Sequence, residues 1–131
     1  MVRKISEAVC YIGTDDLTDS LFENQYVIPE GMSYNSYLIK DSKIAILDSS
    51  DIRTADAWKE NLLEALDGAE PDYFILHHVE PDHSALLPWL LEKFASVQVV
   101  ASAKALQMLP QFYDGLKLEG RSIAVKEGDT L

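Results

Sequence analysis

Residues 72–87 read DYFILHHVEPDHSALL. The run from Tyr73 to Leu76 is continuously apolar, the pattern of a strand covered on both faces. Pro81 cannot extend a central strand, biases Glu80 towards extended backbone, and suits the first turn of a helix. The stretch therefore predicts a strand reaching residue 80 and a helix from about Asp82 to Phe94. All three histidines of the chain, His77, His78 and His83, lie in this turn beside Glu80 and Asp82.

Working outward, the same strand–helix alternation repeats. VQVVAS (97–102) is a second buried strand, SAKALQMLPQFY (102–113) a short helix with Pro110 near its end, and RSIAVKEGDTL (121–131) a last strand with Gly128 in a turn. Towards the N-terminus, Ile52, Ala55, Trp58, Leu62, Leu63 and Leu66 recur at spacings of three and four, a helix capped by Ser50 or Asp51 and ended by Gly68. SYNSYLIK (33–40) and KIAILDSS (43–50) flank Asp41-Ser42 as a hairpin. AVCYIGT (8–14) reads as a first strand, and 15–32 as an ordered loop turned by Pro29 and Gly31. Strands alternating with helices after a hairpin indicate an α/β sandwich.

The chain has 131 residues and a 47% apolar fraction, enough for one core. Its formal charge of −11 excludes a basic nucleic-acid face and an anionic membrane surface as partners. A lone Cys10 in an apolar run is a core residue and suits a reducing, cytoplasmic setting. No signal peptide or membrane span is legible. The chain ends at Leu131 in KEGDTL, which reads as a hairpin entry without its second strand, and so as the first part of a longer polypeptide.

If the strand continues to residue 80, His78 and Glu80 point the same way. Asp82 and His83 project from the following turn in a second direction. Two imidazole–carboxylate pairs of this kind can serve two metal ions roughly 3.5–4 Å apart, and the ligand set suits iron, manganese or zinc. A surface loop or a metal-free acid–base site are the plainer alternatives. His77, by strand alternation, faces the other way, in a packing or supporting role.

The motif HVEPDHS (78–84) resembles the H-x-E-x-D-H signature of flavodiiron proteins, members of the metallo-β-lactamase fold superfamily whose hydrolases usually carry histidine where Glu80 stands. LFENQYVIPEGMSYNSYLIKDSKIAILDSSD, EALDGAEPDYFILHHVEPDHSALL and VKEGDTL fit the family too, so the likeness covers nearly all 131 residues. The resemblance implies the N-terminal half of a metallo-β-lactamase-like αββα sandwich over residues 1–131, with the rest of that domain and a flavodoxin-like domain absent. It implies two iron ions, one held by His78 and Glu80 and the other by Asp82 and His83, His83 being the ligand that water replaces in some members. It further implies FMN in the absent domain, reduction of dioxygen to water or nitric oxide to nitrous oxide, rubredoxin or another electron donor, and a head-to-tail homodimer. The family's later histidine and bridging aspartate have no counterpart here, so this chain alone is expected to be inactive and to hold iron weakly.

The rivals are a zinc hydrolase on the same fold, which Glu80 opposes, a diiron gas-binding sensor without turnover, and a fragment whose motif binds nothing. Among other residues, Asp48 at the end of KIAILD reads as a helix cap or turn residue, with support of the metal loop as its alternative. Tyr26 and Phe22 read as packing residues, with pocket lining as their alternative. Trp58 and Trp89 read as core, and Asp16, Asp19 and Glu23 as a solvated acidic stretch.

Overall fold

The computed structural model describes residues 2–16, 21–22, 26–27 and 31–131. Its strands are β1 (Arg3–Lys4), β2 (Val9–Tyr11), β3 (Thr14–Asp16), β4 (Leu21–Phe22), β5 (Tyr26–Val27), β6 (Met32–Tyr34), β7 (Tyr37–Lys40), β8 (Ile44–Leu47), β9 (Tyr73–Ile75), β10 (Gln98–Ala101) and β11 (Ser122–Ala124). Its helices are α1 (Ala55–Leu66), α2 (Pro81–Ser84), α3 (Leu87–Lys93) and α4 (Ala103–Phe112). Seven strands form one sheet in the order β1-β2-β7-β8-β9-β10-β11, and β3–β6 and β4–β5 form two small ribbons. The sheet is antiparallel from β1 to β8, as the hairpin signal requires, and parallel from β8 to β11, where helices supply the crossovers.

Alternation sorts each strand onto two faces. Leu38, Ile46, Phe74 and Val99 point towards the helices and meet Trp58, Leu62, Leu66, Leu90 and Leu109 in one core, all of them at most 1% exposed. Val9, Tyr37, Ile39, Leu47, Tyr73 and Ile75 point the other way, are only partly buried, and lie outside that core. Among the described residues, then, helices cover one face of the sheet only. The second face is apolar in sequence; among the described residues most of its side chains stay partly exposed, Val100 at 1% being the buried exception.

Several expectations change. The predicted loop 15–32 contains parts of four short strands, because Thr14–Asp16 pairs with Met32–Tyr34. That pairing breaks the expected strand 33–40 at Asn35–Ser36 and buries Asp16 rather than leaving it solvated. Asp19, Glu23, Pro29 and the side chains of Phe22 and Tyr26 lie outside the described residues. Asp51 caps a 3-10 turn (Ile52–Thr54), its side chain accepting from the Arg53 N–H; the tighter period rotates Ile52 into solvent. Leu63 is also largely exposed, so neither belongs to the buried stripe of α1. The expected helix 82–94 is two helices, α2 and α3, interrupted at Ala85–Leu86. Trp58 is fully buried, and Trp89 packs edge-on against it. Cys10 is half-buried against the core.

No helix among the described residues is long and apolar enough to cross a membrane.

Candidate metal centre

The ends of β8 and β9 lie side by side in parallel, with Leu47 opposite Ile75. Crevices beyond the carboxyl ends of parallel strands are where α/β sheets place ligands. Asp48 follows β8 directly, and the histidine turn follows β9, so the strand pairing brings Asp48 and His77 together across a separation of 29 positions. β9 ends at Ile75, earlier than expected. Leu76 keeps one ladder bond, its N–H donating to the Val100 carbonyl at 2.9 Å. From His77 onward the backbone leaves the sheet, and side chains take over its hydrogen bonding.

Asp48 is the centre of that replacement. It is 7% exposed, and its backbone sits in the left-handed region at φ 57°, a conformation that aspartate tolerates better than most residues. The backbone twist turns its carboxylate across to the histidine turn. There Oδ1 accepts the His77 N–H at 2.8 Å, and Oδ2 lies 3.1 Å from His77 Nδ1 and 3.0 Å from His83 Nδ1. The Asp48 carbonyl accepts the Ser36 hydroxyl at 2.7 Å, and the Trp58 indole N–H donates to Ser36 Oγ at 3.0 Å. Ser49 clamps the turn from the same loop, its N–H and its hydroxyl both donating to the His83 carbonyl at 2.8 Å.

The four residues expected to bind metal are brought close in pairs. His78 Nδ1 lies 4.0 Å from Glu80 Oε2, and His83 Nε2 lies 3.6 Å from Asp82 Oδ2. The His78 and His83 rings stand 4.7 Å apart between centroids. Two donor atoms about 2 Å from one four-coordinate ion stand roughly 3.4 Å apart, so each pair is near chelating distance. Among the described residues, however, no three histidine, cysteine, aspartate or glutamate side chains converge as a metal group. The donor chemistry of each pair, imidazole beside carboxylate, would suit iron, manganese or zinc.

Asp48 settles which face of His83 is available. A carboxylate only accepts hydrogen bonds, so His83 Nδ1 carries a proton, and in the neutral ring Nε2, turned towards Asp82, is the free nitrogen. The hydrogen bond to Asp48 is the main reason that the His83 pKa lies above its ordinary value, partial burial opposing it. Burial likewise raises the Asp82 pKa, against the pull of His83. A cavity of about 340 Å³ opens here, lined by Asn35, Tyr37, Leu47, Asp48 and all three histidines, but by neither Glu80 nor Asp82.

Two readings of the sequence are corrected by this geometry. Asp48 is no helix cap; it supports the histidine turn, the alternative given above. His77 does not face away from His78, because β9 stops before it and strand alternation no longer applies; both line the same cavity. His77 contacts Asp48, whose carboxylate also faces His83. Ser36, Ser49 and Ser84 were missed. The sequence signal for them is weak: small polar residues next to strand ends, with nothing local to say that they are buried.

No family model matches the chain. Its relatives are clear nonetheless. It is 34% identical over 127 residues to diflavin flavoprotein A 1 of Synechocystis, a match covering 97% of this chain and 22% of that protein. The chain belongs to the flavodiiron protein family. Over 110 residues it is 32% identical to the anaerobic nitric oxide reductase flavorubredoxin of Aliivibrio fischeri, covering 83% of the chain and 22% of the relative. The structure of a flavo-diiron protein from Thermotoga maritima superposes with a TM-score of 0.87 at 30% identity, over 98% of this chain and 33% of that one. The fold is thus the metallo-β-lactamase-like one of the flavodiiron proteins. The chain corresponds to the N-terminal part of its relatives and spans only about a fifth of the two curated ones.

Proposed function

We propose that this chain contributes half of a diiron centre to a flavodiiron oxidoreductase, His78 and Glu80 serving one iron and Asp82 and His83 the other. The observation that carries the proposal is the Asp48–His83 hydrogen bond, which leaves Nε2 free beside the Asp82 carboxylate. Irons bound there, supplied with electrons from FMN, would reduce nitric oxide to nitrous oxide or dioxygen to water. The chain's own residues prepare the place. Glu80 and Asp82 offset the metals' positive charge, Asp48 fixes the His83 tautomer, and the cavity bordered by Tyr37 and Leu47 gives a diatomic gas a partly apolar approach. Family kinship and the relative named as a nitric oxide reductase support this reaction class. A rubredoxin-like donor, a head-to-tail homodimer and a cytoplasmic setting belong to the same proposal.

Residues 1–131 would then be the N-terminal part of an αββα domain. The partly exposed apolar side chains of the second sheet face, Tyr37, Ile39, Leu47 and Ile75 among them, support that reading, since the second sheet of such a sandwich would lie on them. Remaining iron ligands and the flavin domain would come from outside these residues. Anaerobic titration of the chain with ferrous ion tests the assignment. Weak uptake that Glu80→Ala or His78→Ala abolishes is expected. Uptake indifferent to all four ligand residues would refute it, as would two tightly held irons refute the idea of half a site.

A further inference from the structure

We infer that Tyr113, at the end of α4, positions the ligand-bearing turn through Ser84; the inference rests on the proposed roles of His78 and Glu80. Ser84 is fully buried. Its Oγ lies 2.6 Å from the Tyr113 hydroxyl, 2.7 Å from the Val79 carbonyl oxygen and 3.2 Å from that of Glu80. A serine hydroxyl has one proton to give, and a carbonyl can only accept. The arrangement that satisfies every group has Ser84 donating to Val79 and Tyr113 donating to Ser84. Val79 separates His78 from Glu80, so its carbonyl belongs to the peptide that orients Glu80. That backbone has already left the sheet, and the Ser84 hydroxyl replaces the missing ladder bond.

Tyr113 is held in turn from its own side. Its N–H donates to the Leu109 carbonyl at the end of α4, and its ring packs partly buried against the core. Burial raises its pKa, so the hydroxyl keeps the proton that it donates. The result is a chain of contacts from helix α4 to the peptide between two ligand positions, across 29 residues of sequence. Ser84 and Tyr113 touch no reacting group and are positioning residues.

The test uses Tyr113→Phe, which keeps the ring, and Ser84→Ala. In the metal-free chain, amide hydrogen exchange at His83 and Ser84 should rise about fivefold in Tyr113→Phe, the effect of one lost neutral hydrogen bond, with the midpoint of thermal unfolding little changed. Adding Tyr113→Phe to Ser84→Ala should change exchange less than about twofold further, because the two act in series. Affinity for Co2+, the probe metal, should fall about tenfold in Tyr113→Phe, as for outer groups that orient ligands. Unchanged exchange at His83 and Ser84 in Tyr113→Phe overturns the inference, as do fully additive effects of the two substitutions. Should Ser84→Ala fail to fold, Tyr113→Phe alone decides. Faster exchange in a chain whose wild type takes up no Co2+ would sink the metal assignment and still support the Tyr113–Ser84 linkage.

Discussion

Replacing Asp48 by asparagine removes one charge and almost nothing else. Asparagine tolerates the φ of 57°, and its Oδ1 can still accept the His77 N–H. What goes is the carboxylate oxygen shared by two imidazoles at 3.0 and 3.1 Å. Hydrogen bonds to a charged group contribute about 1.5–3 kcal/mol against about 0.5–1.5 for neutral ones, so the stability loss should be about 1 kcal/mol. The effect on metal should be larger. With Oδ1 held by His77, the amide turns its NH2 towards His83 Nδ1, which then has to accept; the proton moves to Nε2, the nitrogen beside Asp82. Loss of an orienting partner typically costs about 10–100-fold in metal affinity. Co2+ titration, with the His83 ring nitrogens followed by NMR, reads both effects. The pH dependence has a defined sign. His83 has its folded pKa raised chiefly by Asp48, so the pair's stabilisation is fully present below the unfolded value of about 6.5 and is lost as pH rises through the folded pKa. Asp48→Asn should flatten that part of the profile. Unchanged Co2+ affinity, together with a His83 still protonated at Nδ1, would refute the reasoning.

Other substitutions probe the frame. A Cβ at Gly13 would clash with the Tyr34 carbonyl oxygen, a backbone atom that cannot swing aside, so Gly13→Ala should cost about 1–3 kcal/mol in denaturant unfolding. Trp58→Ala should cost about 3–5 kcal/mol by the same assay, whereas Trp58→Phe should keep most of the packing and loosen Asp48 through the lost Ser36 contact, seen as faster exchange of the His77 amide. The two sheet faces should respond differently. Leu38→Ala should cost about 2–5 kcal/mol, while Ile39→Ser, one residue along and partly exposed on the second face, should cost less than half as much and reduce binding of an apolar dye. Equal costs at the two positions would mean that the second face is covered after all.

Much of the frame was legible because it is written in local periods. The hairpin at Asp41-Ser42, the apolar stripe of Trp58, Leu62 and Leu66, the short helix α4 and the turn forced by Pro81 each follow from a few neighbouring residues. Where local period misled, a non-local pairing or a tighter turn had intervened. Met32–Tyr34 joined Thr14–Asp16 instead of continuing into β7, and the 3-10 turn put Ile52 in water. The proposed ligand residues were legible as a cluster because they are adjacent in sequence. Their supports were legible at most as an alternative, given for Asp48 alone, since Asp48 lies 29 residues from His77 and 35 from His83, and Tyr113 lies 29 from Ser84.

The buried polar residues explain that asymmetry. A metal-binding turn at a sheet edge has to leave the ladder so that its side chains can converge, and each step away from the ladder strands an N–H or a carbonyl. Buried backbone groups left unpaired cost about 1–3 kcal/mol each. The turn therefore needs polar side chains delivered from elsewhere: Asp48 for the His77 N–H, Ser49 for the His83 carbonyl, Ser84 for that of Val79. These are residues that a reading by hydropathy assigns to surface or cap, because burial of Asp and Ser looks unfavourable until the stranded partner is known. Here Asp48, Ser49 and Ser84 are 7%, 1% and 0% exposed. Their burial follows from the departure of the chain at Leu76, and it is why residues that touch no metal should govern how well the turn can hold one.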